Sequence, residues 1–408
     1  MRYRNFRLYF VGQSVSLIGT WMQRMAVSWL VYNVTHSALL LGVVTFAGQI
    51  PTLLLSPYGG AMSDRHSRYR ILLITQIASL VQAAALAALL LTGNYSTAGV
   101  IGLSLLLGTI NAFDIPARQS LMIELVDDRE DLPNAITLNS TMVNMARLVG
   151  PVVAGVLLTN FGEGLCFLVN AISFAAVIGS LLLIKVPPRV MQKPTGNVWI
   201  GLKEGYAYLS SMTELRLIIM LMAGISFVAL PYSTLLPVFA KDVFQGDAGT
   251  FSWLNSVSGL GALAGAFCLA SLSPSRDRGY VVLASAALFG ASLIGFSLTT
   301  WFPLALCFIL TEGAGMIVNI SGSNAFIQTK VADEMRGRVL SYFVMAFQGM
   351  QPIGSLAVGW IAHRIGPQHT VFGQGVLALL IVGIFTWQYR KVKARQVSKQ
   401  EVALALAG

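Results

Sequence analysis

The chain has 408 residues, of which 55% are hydrophobic and only 11% charged, with a mean hydropathy of +0.70. A soluble domain is about a quarter charged, so too few polar groups exist here to cover a surface in water, and lipid is the expected solvent. The formal net charge of +10 would suit a nucleic-acid binder, but the basic residues lie between apolar runs, a placement that fits control of membrane topology.

A spanning helix needs about 20 mostly apolar residues. Taken in chain order, twelve such helices are predicted at roughly 8–33, 37–61, 70–92, 96–118, 134–160, 164–185, 213–240, 249–271, 279–299, 302–328, 337–362 and 368–390. The first follows Met1-Arg2-Tyr3-Arg4 and is longer than a signal-peptide core, with no small-residue cleavage pattern before Arg24, so an uncleaved anchor is expected. Turn-formers and charges mark the breaks: Gly93-Asn94, Pro187-Pro188, Gly246-Asp247, Ser273-Pro274-Ser275 and Gly366-Pro367. With the N-terminus in the cytoplasm, 23 of the 27 Lys and Arg residues fall in inside segments. Only Lys241 and Arg364 fall outside, and Arg24 and Arg147 lie within the membrane. That bias places both termini in the cytoplasm.

The longest polar break carries Pro187, Pro188, Lys193, Pro194, Gly196 and Lys203. It divides the chain into an N-terminal six-helix half (1–186), a cytoplasmic linker (187–212), a C-terminal half (213–395) and a tail (396–408). The halves echo each other. Arg118 to Asp128 after the fourth helix parallels Asn324 to Glu334 after the tenth, and Gly60…Asp64-Arg65 parallels Gly265…Asp277-Arg278. Tandem halves are a transporter architecture, with a site between them near the bilayer midplane.

The sharpest local motif is Gly59-Gly60-Ala61-Met62-Ser63-Asp64-Arg65-His66-Ser67-Arg68-Tyr69-Arg70. Its glycines allow close helix approach. Asp64, Arg68, Asp114 and Arg118 are expected at one cytoplasmic level, as a charge ring that latches helices two, three and four and breaks on gating. Gly60, Asp64, Arg65 and Arg68 match G-x-L-A-D-R-x-G-R-R, the loop signature of the major facilitator superfamily, whereas Met62, Ser63, Ser67 and Tyr69 depart from it. The chain resembles that superfamily over essentially its whole length, which implies an all-α membrane protein of twelve transmembrane helices. In the fifth helix, Arg147, Gly150, Pro151 and Gly155 sit in a segment similar to the G-P-x-x-G-G motif of its proton-driven exporters, with Ala154 replacing one glycine. Gly19 to Gln23, Asp114 to Gln119, Asn144 to Arg147 and Arg336 to Val339 look like the branch of enterobactin exporters and macrolide-efflux proteins.

Ionisable groups at bilayer depth usually face a cavity or a partner. Three stand out: Arg24, Arg147 and Glu312. The resemblance places helices one, four, seven and ten around a central cavity, which puts Arg24 and Glu312 on its walls. Glu312 is then expected to carry the coupled proton, with Arg24 as the partner that loads and unloads it; a static ion pair is the alternative. Arg147 is expected to bind carbonyls beside the proline bend. Gln13, Gln23, Tyr232, Asn319 and Asn324 are candidate substrate contacts, with Trp21 and Phe227 as stacking surfaces.

The isolated Cys166, Cys268 and Cys307 and the dispersed His36, His66, His363 and His369 suggest no metal or cofactor, and no phosphate-binding loop points to ATP-driven pumping. The expected protein is a monomeric secondary transporter, not an enzyme, in the bacterial cytoplasmic (inner) membrane. Its expected partners are lipid, the proton gradient and a small amphipathic molecule of drug or siderophore type; nucleic acid is not among them. Symport uptake, lipid flipping and a non-transporting sensor are the rival readings. Arg390 to Arg395 reads as an anionic-lipid anchor.

Overall fold

A backbone in hydrocarbon must satisfy its hydrogen bonds within its own segment, and the apolar runs fold accordingly. A computed structural model describes residues 3–126, 128–184, 198–272 and 277–407. They are helical throughout, with no strand among the described residues. The first six helices are α1 (Arg4–Thr35), α2 (Ala38–Arg65), α3 (Arg68–Leu91), α4 (Thr97–Glu124), α5 (Leu132–Phe161) and α6 (Glu163–Leu182). Then come α7 (Val198–Ser211), α8 (Thr213–Val228), the single turn α9 (Leu236–Val238), α10 (Ala248–Ser271) and α11 (Arg278–Leu298). The last four are α12 (Phe302–Lys330), α13 (Asp333–Val344), α14 (Met350–Ile365) and α15 (Pro367–Ala407). Side chains of Ser37, Ser67, Ser96 and Asp277 accept from backbone amides and so start α2, α3, α4 and α11.

Ten helices among the described residues are long and apolar enough to cross a membrane: α2 to α6, the run Thr213–Val243, α10, α11, α12 and α15. Two expected runs are not in that set, for separate reasons. Arg4, Arg7 and Arg24 lower the hydropathy of α1, and residues 337–362 are divided among α13, a π turn at Met345–Gly349 and α14. The run Thr213–Val243 is itself irregular. It passes from α8 through a 3-10 turn (Leu230–Leu235) and α9 into a π turn (Phe239–Val243). Pro231 and Pro237 lack amide donors and cannot continue a regular helix there.

The chain forms two compact units. Unit one is Met1–Thr195 with Thr234–Gly259 and Ser355–Arg364; unit two is Gly196–Ser233 with Leu260–Gly354 and Ile365–Gly408. Within unit one, α2 packs along α4, while α1 packs against α5 and α6. Gly59 lies on the Ala112 carbonyl and Gly108 on the Gly48 carbonyl, leaving no room for a Cβ. Gly60, by contrast, faces open space. Unit two uses the same device, with Gly261 and Gly265 of α10 against the Leu310 and Ala314 carbonyls of α12. Of the expected linker, Pro187, Pro188, Lys193, Pro194 and Gly196 lie outside the described residues, as do Ser273, Pro274 and Ser275; Lys203 lies in α7. Helix α15 continues through the expected tail as far as Ala407.

Candidate functional site

In unit one, polar side chains hold α1 in place. Gln23 donates to Gln82 of α3 at 3.0 Å and accepts from Asn170 of α6 at 2.7 Å, and Ser173 donates to Asn170 at 3.0 Å. All four are buried, so each bond is made in low dielectric, where an unmade one would be costly. Gln23 therefore spends its amide on helix packing, and Gln13 is also buried in α1. The opposite face of α1 is different. Trp21 is half-buried and Arg24 exposed, with the Arg24 guanidinium 4.7 Å from the centre of the Trp21 ring. Arg147 of α5 approaches the same ring at 5.8 Å. Gly150 makes this possible, because a Cβ there would collide with the Trp21 Cβ at 2.5 Å.

The expected four-membered charge ring is two separate clusters. Arg68 pairs with Asp64 at 3.6 Å and with Glu124 of α4 at 2.9 Å. Asp114 is buried, pairs with Arg118 at 3.3 Å and accepts from Thr75 at 2.9 Å and Gln76 at 2.8 Å. Each cluster ties α3 to α4. Glu124, Thr75 and Gln76 were missed from sequence because each partner lies tens of residues away. Arg65 is exposed at the end of α2.

At the α1–α2 turn, Tyr32 donates to Asp242 and Lys241 to Asn33. Gly42 of α2 and Gly359 of α14 lie 3.3 Å or less from each other's backbone once a Cβ is placed on either. Ser252 of α10 donates to the Pro151 carbonyl at 2.7 Å, and Gly155 abuts the same serine. The helix-five motif thus packs on α1 through Gly150 and on α10 through Pro151 and Gly155.

In unit two, Glu312 is fully buried in α12. The Gly261 and Gly265 contacts bracket it at Leu310 and Ala314. Asn319 is buried and donates to the Val282 carbonyl of α11 at 3.2 Å. Tyr232 is buried edge-on to Phe289 at 6.1 Å, Phe227 is exposed, and half-buried Asn324 accepts from Gln328 at 3.0 Å. A third charge cluster joins four helices: Lys393 of α15 pairs with Asp277, at the start of α11, at 3.0 Å and with Glu214 of α8 at 3.5 Å, and Lys330 of α12 with Glu214 at 3.4 Å. Burial pushes the Asp277 carboxyl up, but Lys393, the Tyr389 hydroxyl at 2.8 Å and the Gly279 amide outweigh it and hold it below the usual range. Lys393 is thereby committed to acids, although the basic segment was expected to serve lipid.

The described residues thus place charges and polar networks among apolar helices. The chain belongs to the transmembrane secretion effector family of the major facilitator superfamily, whose model matches residues 1–405. It is 28% identical to the staphyloferrin A transporter of Staphylococcus aureus over 95% of this chain and 97% of that one. Macrolide efflux protein A of Streptococcus pyogenes is 25% identical over 93% and 96% of the two chains. The enterobactin exporter EntS of Escherichia coli O1:K1 is 24% identical over 93% and 90%. In fold, the chain is similar to a bacterial homolog of the human lysosomal transporter Spinster, with a TM-score of 0.74 at 13% identity over 95% of this chain and 97% of that one. The protein is a multi-pass membrane protein of a transporter family whose relatives include exporters of siderophores, macrolides and drugs.

Proposed function

We propose that this protein is a proton-coupled exporter of small amphipathic organic molecules, working by alternating access in the bacterial cytoplasmic membrane. In this reading α1 and the α13–α14 run also span, which gives twelve crossings with both termini in the cytoplasm. The observation that carries the coupling is Glu312, a fully buried carboxyl ten residues into α12. A charged carboxylate at bilayer depth is expensive, so Glu312 takes up a proton in one state and releases it in another. Relatives that export macrolides and enterobactin support the direction. The helix-five segment supports the means, since Pro151 and its small neighbours let α5 flex against α1 and α10. The clusters around Arg68 and Asp114 then act as the cytoplasmic latch, and the Tyr32–Asp242 and Lys241–Asn33 bonds as its outer counterpart.

A deletion strain should accumulate more of at least one compound from a panel of drugs and siderophores. Restoring the wild-type chain should lower that accumulation, and restoring Glu312→Gln should not. Unchanged accumulation for every compound would overturn the reading.

A further inference from the structure

Helix α12 carries a polar stripe along one side. At 3.6 residues per turn, Glu312, Asn319, Ser323 and Lys330 fall within about 40° of arc. The first three are buried, each 1% exposed or less. Lys330 ends the stripe on Glu214, which also pairs with Lys393, and Lys393 in turn holds the partly exposed Asp277. The stripe thus runs from a buried carboxyl to a charged cluster that meets solvent, all within unit two.

Two oxygens of the stripe are left over. The Asn319 Nδ2 donates to the Val282 carbonyl of α11 at 3.2 Å, and a carbonyl only accepts, so the amide is fixed with Oδ1 turned away. That Oδ1 and the Ser323 Oγ, one turn further along, are buried and bonded to no protein group. The Ser226 Oγ of α8 is in the same condition. Helix α8 packs against α12, and the Glu214–Lys330 pair pins its start to the end of α12. Counted from that pin at 1.5 Å per residue, Ser226 stands about 18 Å along α8 and Asn319 about 16 Å along α12, at one level. On the neighbouring flank α11 is sealed against α12, since a Cβ on Gly315 would meet the Ser285 carbonyl and the Phe289 amide at 2.9 Å. Buried polar atoms are rarely left unbonded, and bound water is the usual partner where protein supplies none.

We propose that Asn319 and Ser323 hold a file of water molecules that carries the proton between Glu312 and the Lys330–Glu214 end of α12. The protonated Glu312 carboxyl gives its proton to the first water, which passes a different proton to the next. The last water releases a hydronium ion beside the charged cluster, and Glu312 is left as a carboxylate. The Asn319 Oδ1 accepts from the file, while the Ser323 hydroxyl both accepts and donates, so neither changes charge. Both are positioning residues. The flanking Met316 and Phe326 side chains are poor hosts for water, which makes these two oxygens the holding points of the file. The route rests on the reading of Glu312 as the coupling carboxyl and adds the path by which its proton leaves.

Infrared spectroscopy of the purified full-length protein in lipid tests this, with D2O as the probe. The protonated-carboxyl stretch that disappears in Glu312→Gln belongs to Glu312, and its shift after a change from H2O to D2O gives the rate at which that proton trades with solvent. Ser323→Ala and Asn319→Leu should each slow the exchange about threefold to tenfold, the factor for one hydrogen bond lost from the file. Ser323→Thr keeps the hydroxyl and should exchange at the wild-type rate. A loosened fold would admit D2O and speed the exchange, so slowing is not a sign of misfolding. Unchanged or faster exchange in both Ser323→Ala and Asn319→Leu would overturn the route and leave Glu312 as the proton carrier. Absence, at every pH the protein tolerates, of a carboxyl band that Glu312→Gln removes would overturn the coupling reading itself, and the route with it.

Discussion

Arg68 sits between two acids that the sequence alone ranks wrongly. The loop signature points to Asp64, yet the Asp64 side chain is 60% exposed and its contact is long, at 3.6 Å. Glu124 is only 21% exposed and lies 2.9 Å from Arg68, itself 13% exposed. Exposed pairs at this helical spacing contribute little, whereas removing one partner of a mostly buried pair strands the other. Glu124→Ala should therefore lower stability by about 1–3 kcal/mol, and Asp64→Ala by about 0.5 kcal/mol at most. Thermal midpoints of the two purified variants in one detergent check the order, and a larger loss for Asp64→Ala would refute it. Arg24, Arg147 and Glu312 could be singled out from sequence because an ionisable residue stands out in an apolar run. Their neighbours could not. The Trp21–Arg147 contact and the Gln82–Gln23–Asn170 chain join residues far apart in sequence, and no local period encodes them.

Among the elements, adjacent glycines in α2 do opposite things. Gly59 presses on the Ala112 carbonyl, and Gly60 has open space where its Cβ would be. Gly59→Ala should cost about 1–3 kcal/mol through forced separation of α2 and α4. Gly60→Ala should leave the melting midpoint unchanged or raise stability by up to about 1 kcal/mol, because alanine is the better helix former. Equal losses in the two variants would contradict the packing described. Helix existence was legible from length and hydropathy, as the breaks at Gly93 and Gly366, both at positive φ, illustrate. The π turns at Phe239–Val243 and Met345–Gly349 were not: the first straddles the expected helix end at residue 240 and carries Lys241 and Asp242, and the second lies inside the expected run 337–362.

For the whole molecule, the acid dependence of stability follows from the cluster at Asp277. Its folded carboxyl titrates below the ordinary value of about 3.9. The contribution of Lys393 and Tyr389 is therefore complete above that value and is lost as pH falls through the folded one. The melting midpoint should decline below about pH 4. Asp277→Asn should melt lower at neutral pH and lose less on acidification; an identical acid profile in the two proteins would remove the cluster from the account. Export itself is tested most directly in everted vesicles loaded with the purified protein's substrate from the compound panel outside and an acid interior imposed. The expected result is substrate entry that follows the size of the pH gradient, with Glu312→Gln abolishing gradient-driven entry while the variant still binds substrate. Entry that ignores the gradient, or that persists in full in Glu312→Gln, would contradict proton-coupled export through this chain.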